Sequence, residues 1–258
     1  MPANDSPIIY TLDIETRPNE VYSWSLWNQN HSTSQIIKPA GILSFAAKRL
    51  DKKAVEFHAD WDENGHDGMI RRLHEIYDEA DGIISYNGAK FDSKWIKGEF
   101  ALAGLNPPSP LKEIDLLRTV RKNFNFPSRK LDYVAQQLGL GGKVEHSGQA
   151  LWNECLRPTT EASGKRARAL MRKYNIGDVK LTEQLYYRLL PWIDPGVNVA
   201  LFADDGDPRC INCGSDHIQS RGYAYTTAVR YRRYQCQACG KWLRSRRMES
   251  TTPLRNVV

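Results

Sequence analysis

Apolar and polar positions along the first 190 residues follow two spacings, one typical of strands and one typical of helices. Residues 7–14 form a run of β-branched and aromatic side chains, which predicts a buried strand. Further strands are predicted at residues 21–27, 42–45, 54–58 and 82–86. Apolar residues at helical spacing predict helices at residues 67–80, 92–102, 114–120, 129–138, 162–174 and 177–190. This succession predicts an α/β domain, with a mixed sheet and helices packed on it.

A change of composition near residue 200 divides the chain in two. Turn-forming residues cluster at 191–196 and again at 204–208. Residues 1–200 carry 26 Lys and Arg against 25 Asp and Glu, whereas residues 201–258 carry 10 against 5. We therefore predict a body at residues 1–195 and a small basic module at residues 207–247. A basic module favours a polyanionic partner, most simply nucleic acid, although a solvated surface that serves solubility has the same excess.

Four of the five cysteines lie in this module as two pairs. Each pair has the form Cys-x-x-Cys, and the members are Cys210, Cys213, Cys236 and Cys239. Two such pairs can place four thiolates tetrahedrally around one structural Zn²⁺. Two disulfides are the alternative, which is disfavoured because nothing marks the chain as secreted. We expect the fifth cysteine, Cys155, to be a small buried side chain.

The chain lacks the features of a membrane or secreted protein. No stretch approaches the run of about 18 apolar residues that a membrane helix needs. The N-terminus has neither a basic start nor the apolar core of a signal peptide. We therefore expect a cytoplasmic protein with no membrane partner.

Three short segments of the body carry acidic residues in positions that suit metal binding or catalysis. Asp13 and Glu15 lie two apart on the first predicted strand, so both carboxylates leave the same face, where cations would relieve their repulsion. Asp92 opens a helix after an Asn-Gly turn. Tyr174 and Asp178 share a helix face. Each position alone also suits an ordinary structural role, on a solvated strand face, at a helix start or in packing.

Taken together, these segments resemble the three motifs of the DEDD exonucleases of the ribonuclease-H-like superfamily. The segments are residues 12–16, 86–92 and 174–178. The tyrosine four residues before the last aspartate is similar to the DEDDy branch, and residues 114–132 are similar to the proofreading domains of family B DNA polymerases. The resemblance covers residues 7–192. It implies a ribonuclease-H-like α/β fold for the body and does not cover the C-terminal module, for which the cysteine spacing predicts a separate zinc ribbon with four cysteine ligands.

The resemblance also implies an activity and a set of site residues. Two Mg²⁺ or Mn²⁺ ions would be bound by four carboxylates, those of Asp13, Glu15, Asp92 and Asp178. One ion would activate the attacking water and the other would stabilise the leaving 3′ oxygen, while Tyr174 orients the water. Thr16 and Asn87 are expected to line the slot for the terminal nucleotide. The expected activity is 3′–5′ exonucleolytic release of 5′-mononucleotides, from single-stranded DNA in preference to RNA.

Two alternatives remain open at the level of sequence. The same fold and ions could cut internally as an endonuclease, or the body could be a non-catalytic adaptor; the intact acidic set argues against the adaptor. Arginines alternate with aromatic residues in the module, and Arg230, Arg232 and Arg233 are expected to contact the substrate backbone. A protein partner for the ribbon is the alternative. Asp115 and Asp132 are expected to flank helices.

Overall fold

The structure is a computed structural model that describes residues 6–27, 29–194, 196–203 and 206–253. In these residues the regular elements are a five-stranded, a three-stranded and a two-stranded sheet, six α-helices and three short 3-10 helices. The strands are β1 (Ile9–Arg17), β2 (Glu20–Val21), β3 (Ile36–Lys38), β4 (Gly41–Arg49), β5 (Glu56–Ala59), β6 (Gly82–Ser85), β7 (Lys112–Asp115), β8 (Ile218–Tyr225), β9 (Val229–Cys236) and β10 (Trp242–Thr251). The helices are α1 (Gly65–Glu79), α2 (Asp92–Leu102), α3 (Leu116–Asn123), α4 (Leu131–Gln137), α5 (Gln149–Leu156) and α6 (Glu161–Leu189).

The body is built on the mixed sheet that the sequence predicts. Its strand order is β5-β4-β1-β6-β7, so β1 lies at the centre. Strand β1 pairs antiparallel with β4 and parallel with β6, and β6 pairs parallel with β7. The short strands β2 and β3 form a separate two-stranded ribbon beyond the end of β1.

Alternation along β1 sends its side chains into two different layers. Leu12 and Ile14 are buried in a cluster that includes Leu73 of α1 and Phe100 of α2. The opposite face of the sheet is covered by α6, whose Leu185 packs with residues of α3 and α4. Because neighbouring residues of a strand point to opposite faces, the odd-numbered Asp13 and Glu15 share the face that α6 covers.

The predicted strand at residues 21–27 is wrong. Only Glu20–Val21 is extended and paired, and the following residues form a loop. The large side chains of this loop are exposed, at 83% for Trp24 and 85% for Trp27. The alternation of apolar and polar residues therefore has no core face to pack on, and without burial it does not make a strand.

The two helices predicted at residues 162–174 and 177–190 are one helix, α6, of 29 residues. Gly177, where the second predicted helix begins, lies inside α6 and allows a close approach, because a Cβ there would lie 3.0 Å from Val144 Cγ2. The helix predicted at residues 114–120 begins at Leu116, since the preceding residues form β7. The helix expected from residue 129 begins at Leu131, and α5 was not predicted.

The C-terminal module is attached to the end of α6. The Asn212 side chain is buried, and its Nδ2 donates hydrogen bonds to the backbone oxygens of Leu190 (2.7 Å) and Ile193 (3.2 Å). Lys241 Nζ also donates to the Ile193 oxygen at 2.7 Å. The last carbonyls of a helix have no partner within it, so these side-chain bonds add to the turn bond, from the Ile193 N–H to the Leu190 oxygen, at the end of α6. The antiparallel sheet β8–β9–β10 extends from this attachment.

We expect Asn212→Ala to destabilise the protein, because the substitution removes both hydrogen bonds of a buried amide, while the Leu190 oxygen keeps the Ile193 N–H and the Ile193 oxygen keeps Lys241 Nζ. The loss should be about 1–3 kcal/mol in the free energy of unfolding. Urea denaturation followed by circular dichroism measures it. The matched control is Gln237→Ala, since Gln237 is exposed in the same module and its amide donates only to the Gln235 oxygen. Equal stability of the two variants would contradict the anchoring role.

Candidate active site

Three acidic side chains from β1 and α6 converge in the body. The carboxylate oxygens of Asp13, Glu15 and Asp178 lie within 4.8 Å of one another. The crossing of α6 over β1 is held by Asn175, whose Nδ2 donates to Asp13 Oδ2 (2.7 Å) and to the Asp13 backbone oxygen (3.2 Å). Asn175 was not identified from the sequence. Its position between Tyr174 and Asp178 is the signal that the sequence offers, and the structure shows its side chain to be fully buried.

Asp92 reaches the same region from the first residue of α2. Its Oδ1 accepts a hydrogen bond of 3.3 Å from the Ile14 N–H, which lies between the two acidic residues of β1. Asp92 is not in the group of three whose oxygens meet within 4.8 Å. The turn before it is tightly packed: a Cβ on Gly88 would lie 2.2 Å from Ser85 Oγ and 3.2 Å from Asp92 Oδ2. Glycine at this position therefore allows the aspartate to approach the strand.

The four carboxylates are partly or fully buried together, and their pKa values respond to that burial. Burial, followed by repulsion from Glu15, Asp92 and Asp178, raises the pKa of Asp13 well above its usual value. Burial and the Asp178 charge raise the pKa of Glu15 to about 8. Burial raises the pKa of Asp92 to about 6, and it also raises that of Asp178. Carboxylates held together in this way repel one another unless positive charge lies between them.

One carboxylate oxygen has no partner at all among the described residues. Asp178 Oδ1 is buried and accepts no hydrogen bond there. A buried, unpaired carboxylate oxygen beside two further carboxylates is a costly arrangement for a metal-free protein, and it suits a divalent cation with oxygen ligands. The donor set and its geometry therefore fit the Mg²⁺ or Mn²⁺ ions that the sequence led us to expect.

A lysine enters the acidic cluster from the loop between α4 and α5. Lys143 Nζ contacts Asp178 Oδ2 and donates to Tyr174 Oη at 3.2 Å. Burial lowers the pKa of Lys143, but the Asp178 charge and hydrogen bond outweigh burial and leave the pKa raised, so the side chain is an ammonium. The loop is fixed by Asp132, whose Oδ1 accepts from the Lys143 backbone N–H at 2.8 Å. No periodicity marks this loop, so sequence reasoning missed Lys143.

Tyr174 lies in an aromatic cluster that borders the acids. Its ring centroid is 4.6 Å from that of His146 and 6.2 Å from that of Trp152. Trp152 belongs to α5, and its Nε1 donates to the Thr16 backbone oxygen at 3.1 Å. Burial and the charges of Asp178 and Glu15 raise the pKa of Tyr174, which keeps the phenol neutral. Helix α5 thus supports both Tyr174 and the end of β1.

The remaining predicted contact residues have no contact with the acids among the interactions described. Asn87 has a left-handed backbone, with φ of 70°, and its N–H donates to Asp115 Oδ1 at 2.8 Å. Asp115 also caps α3 by accepting from the Leu117 N–H. Arg230, Arg232 and Arg233 lie on β9, in the C-terminal sheet. The roles of these residues and of Thr16 in substrate binding stay predictions.

The four paired cysteines form a second candidate metal site. Their sulfurs lie within 4.8 Å of one another, and two of the distances, Cys210–Cys239 and Cys213–Cys236, are 3.6 Å. Ligands at about 2.3 Å in a tetrahedron stand about 3.8 Å apart, whereas a disulfide needs about 2.05 Å. The cysteines are therefore thiols arranged as zinc ligands, and Gly214 and Gly240 follow the pairs at positive φ.

Burial and backbone N–H groups both change the pKa values of the thiols at this second site. Burial raises the pKa of Cys213 and, to about 11, that of Cys239, whereas at Cys236 the N–H groups of Cys239 and Ala238 outweigh burial and lower the pKa to about 7. A thiol that deprotonates readily is the form that binds zinc. The set of four sulfurs and the N–H groups around them thus fits a structural Zn²⁺.

Comparison with known proteins gives the same fold. The chain is similar to a family B DNA polymerase from the hyperthermophilic archaeon Pyrobaculum calidifontis, with a TM-score of 0.53 and 18% identity, over 72% of this chain and 25% of the polymerase. The chain thus corresponds to about a quarter of the polymerase's length. A family model described as RNase_H superfamily matches residues 11–190, so the chain belongs to that superfamily. No curated protein matches the chain. Across the described residues, no helix has the length and apolarity needed to cross a membrane.

The pKa of Glu15 predicts how the stability of the metal-free protein depends on pH. Its folded-state value of about 8 exceeds the usual 4.5, so the folded protein binds the extra proton and loses stability as the pH rises from about 4.5 to about 8. Glu15→Gln removes this loss. At about pH 8.5 the variant should be more stable than the wild type by about 1–4 kcal/mol, with a smaller difference at about pH 5.

Urea denaturation at both pH values measures this difference, with zinc present and no added Mg²⁺ or Mn²⁺. Adding Mn²⁺ at the higher pH should then stabilise the wild type more than the variant, because a bound cation stabilises the folded state that holds it. A wild type and variant with the same dependence on pH would refute the repulsive cluster.

Proposed function

We propose that this protein is a 3′–5′ exonuclease that hydrolyses phosphodiester bonds at the 3′ end of single-stranded nucleic acid, DNA in preference to RNA. The observation that carries the proposal is the convergence of Asp13, Glu15 and Asp178 within 4.8 Å, beside Asp92 and Tyr174, on a ribonuclease-H-like sheet. Membership of the superfamily supports nuclease activity. The polarity of degradation and the substrate come from the resemblance of the three acidic segments to the DEDDy exonucleases.

The four carboxylates would hold two Mg²⁺ or Mn²⁺ ions. Such ions, when bound, make a water more acidic and neutralise charge on a phosphate. The protein's own contribution is to keep four ligands on three rigid elements, β1, α2 and α6, and to limit the access of bulk water by burying them. Rigid placement of the ligands holds the phosphate in line with the attacking water.

Tyr174 and Lys143 supply the polar groups next to these ligands. The raised pKa of Tyr174 keeps the phenol protonated, so it positions a water by hydrogen bonding and is not itself the base. Lys143, in contact with Asp178 and Tyr174, brings a positive charge to the place where negative charge would develop on the phosphate. Phe91, which is 43% exposed beside Asp92 and packs edge-on against Trp95, offers an apolar surface for the terminal base.

A gel time course with a 5′-labelled linear single strand and a circular single strand tests the proposal. With Mn²⁺, the linear strand should shorten from its 3′ end while the circle stays intact. Asp178→Asn should lower the rate by about 10³-fold or more, because it removes a ligand charge from the centre of the cluster. The matched control is Glu183→Gln: Glu183 lies on the same helix but pairs with Lys48.

Other outcomes of this assay would replace the proposal. Cutting of the circle that depends on Asp178 would make the protein an endonuclease with the same site. Binding of the strands without any cutting in Mg²⁺ or Mn²⁺ would favour the adaptor. Equal losses in Asp178→Asn and Glu183→Gln would show that the acidic cluster is not the catalytic site.

The charge of Lys143 should matter separately from its packing. Lys143→Met keeps most of the length of the side chain and removes the charge, so the rate should fall by about 10–100-fold, with partial recovery in Lys143→Arg. Lys173→Met is the control, since Lys173 is an exposed lysine next to Tyr174 on α6. Single-turnover rates at saturating Mn²⁺ measure the effect. Equal rates for the Met and Arg variants would show that the charge of Lys143 has no part in the reaction.

A further inference from the structure

The C-terminal sheet presents two faces with different chemistry. Strand β9 lies in the middle, between β8 and β10, so its side chains alternate between the two faces. Arg230 and Arg232 share the first face with Tyr234, whereas Tyr231 and Arg233 point to the second. The three arginines that the sequence grouped as one contact set are therefore divided between opposite sides of the sheet.

The arginines of the first face are engaged within the sheet. Arg230 and Arg232 both lie over the Tyr223 ring, with guanidinium carbons 4.4 Å and 4.6 Å from its centroid. Arg232 Nε also pairs with Glu249 at 3.3 Å. All three of the stacked side chains are partly buried. Arg232 therefore has a counter-charge within the sheet, and both guanidinium groups of this face are partly buried over Tyr223, although Arg230 has no carboxylate partner among the described residues.

The second face carries a ladder of arginines and aromatic rings that is open to solvent. Arg233 lies 4.9 Å from the ring centroid of Trp242, and Arg244 lies 4.3 Å from that of Tyr231. Both arginines are exposed, and Trp242 is 49% exposed. Among the described residues, neither arginine forms an ion pair with a carboxylate; Arg233 Nε donates only to the Arg221 backbone oxygen. Their charges therefore face solvent without a counter-charge.

Such a ladder matches the two features that a single nucleic-acid strand presents. Guanidinium groups contact phosphates, and aromatic rings stack on unpaired bases. Each arginine here lies over a ring, and this contact stabilises the position of its guanidinium group. An acidic peptide would use the charges but not the exposed face of Trp242, and a duplex hides its bases. The chemistry of the second face thus favours a single strand.

We infer that the second face, formed by Tyr231, Arg233, Trp242 and Arg244, binds single-stranded nucleic acid. The inference rests on the proposed function only in taking this strand to be the substrate. The module is bonded to the end of α6 through Asn212, and α6 carries Asp178 eleven residues before its last residue, which is about 17 Å along a helix. A nucleic-acid strand bound to the module can therefore extend over this distance to the acidic cluster.

Two double variants with the same change of charge separate the two faces. Arg233→Gln with Arg244→Gln alters the second face, and Arg230→Gln with Arg232→Gln alters the first. Binding of a fluorescein-labelled oligothymidine is measured by anisotropy over a range of salt concentrations, with zinc present and no Mg²⁺ or Mn²⁺. The second-face variant should bind about 10-fold or more weakly and lose about 1.4 from the salt slope, whereas the first-face variant should stay within about 3-fold.

A third variant isolates stacking from charge. Trp242→Leu should weaken binding about 5- to 100-fold without changing the salt slope, and Trp242→Phe should restore most of the affinity. Zinc content and the urea midpoint of each variant show whether the module is folded. A variant that has lost zinc is replaced by the corresponding lysine variant, Arg233→Lys with Arg244→Lys, which should keep the salt slope.

The outcomes decide the inference without reference to cleavage. Equal weakening by both double variants would show long-range attraction alone and overturn the assignment of a face. Unchanged affinity in all variants would also overturn it and direct attention to an acidic protein partner. Failure of the proposed function is distinct, because it would appear as strand binding that depends on the second face together with no cutting by the wild type.

Discussion

The approach of α6 to β1 is the contact on which the site depends, because it brings carboxylates of like charge together away from bulk solvent. The raised pKa values of Asp13 and Glu15 are the direct result. The structure offsets the repulsion locally, with the Asn175 amide on Asp13, the Ile14 N–H on Asp92 and the Lys143 ammonium on Asp178. An arrangement that needs three separate compensations is unfavourable for folding alone, and it is compatible with a site that binds divalent cations.

Helix α6 connects the two candidate metal sites. Its middle carries Tyr174 and Asp178, and the oxygens at its end accept hydrogen bonds from Asn212, which lies between the first two cysteines of the C-terminal cluster. The close contact at Gly177 lets the loop with Val144 and Lys143 lie against the same helix. A single helix thus contacts the acidic cluster, the loop that carries Lys143 and the C-terminal module.

The parts of this structure that could be predicted are those that local pattern determines. Two-residue periodicity placed Asp13 and Glu15 on one face of β1, four-residue spacing did the same for Tyr174 and Asp178, and cysteine spacing marked the second metal site. Periodicity and spacing failed to predict the structure where contacts between distant parts of the chain determine it. Residues 21–27 alternate but have nothing to pack on, and Gly177 lies within a helix because a neighbouring loop needs the space. Lys143 has no pattern at all, since its position depends on Asp132 holding a loop.

The arginines of the C-terminal module show a second limit of prediction from the sequence. Composition identifies the module as basic and aromatic, but it treats Arg230, Arg232 and Arg233 as one group. Strand alternation separates them, and the contacts differ accordingly: the first two share the Tyr223 ring, and the third stacks on an exposed tryptophan. A charged side chain can bind a partner only where contacts within the folded protein leave that side chain exposed. The surplus of positive charge is therefore a property of the module, whereas the capacity to bind a strand belongs to one face of its sheet.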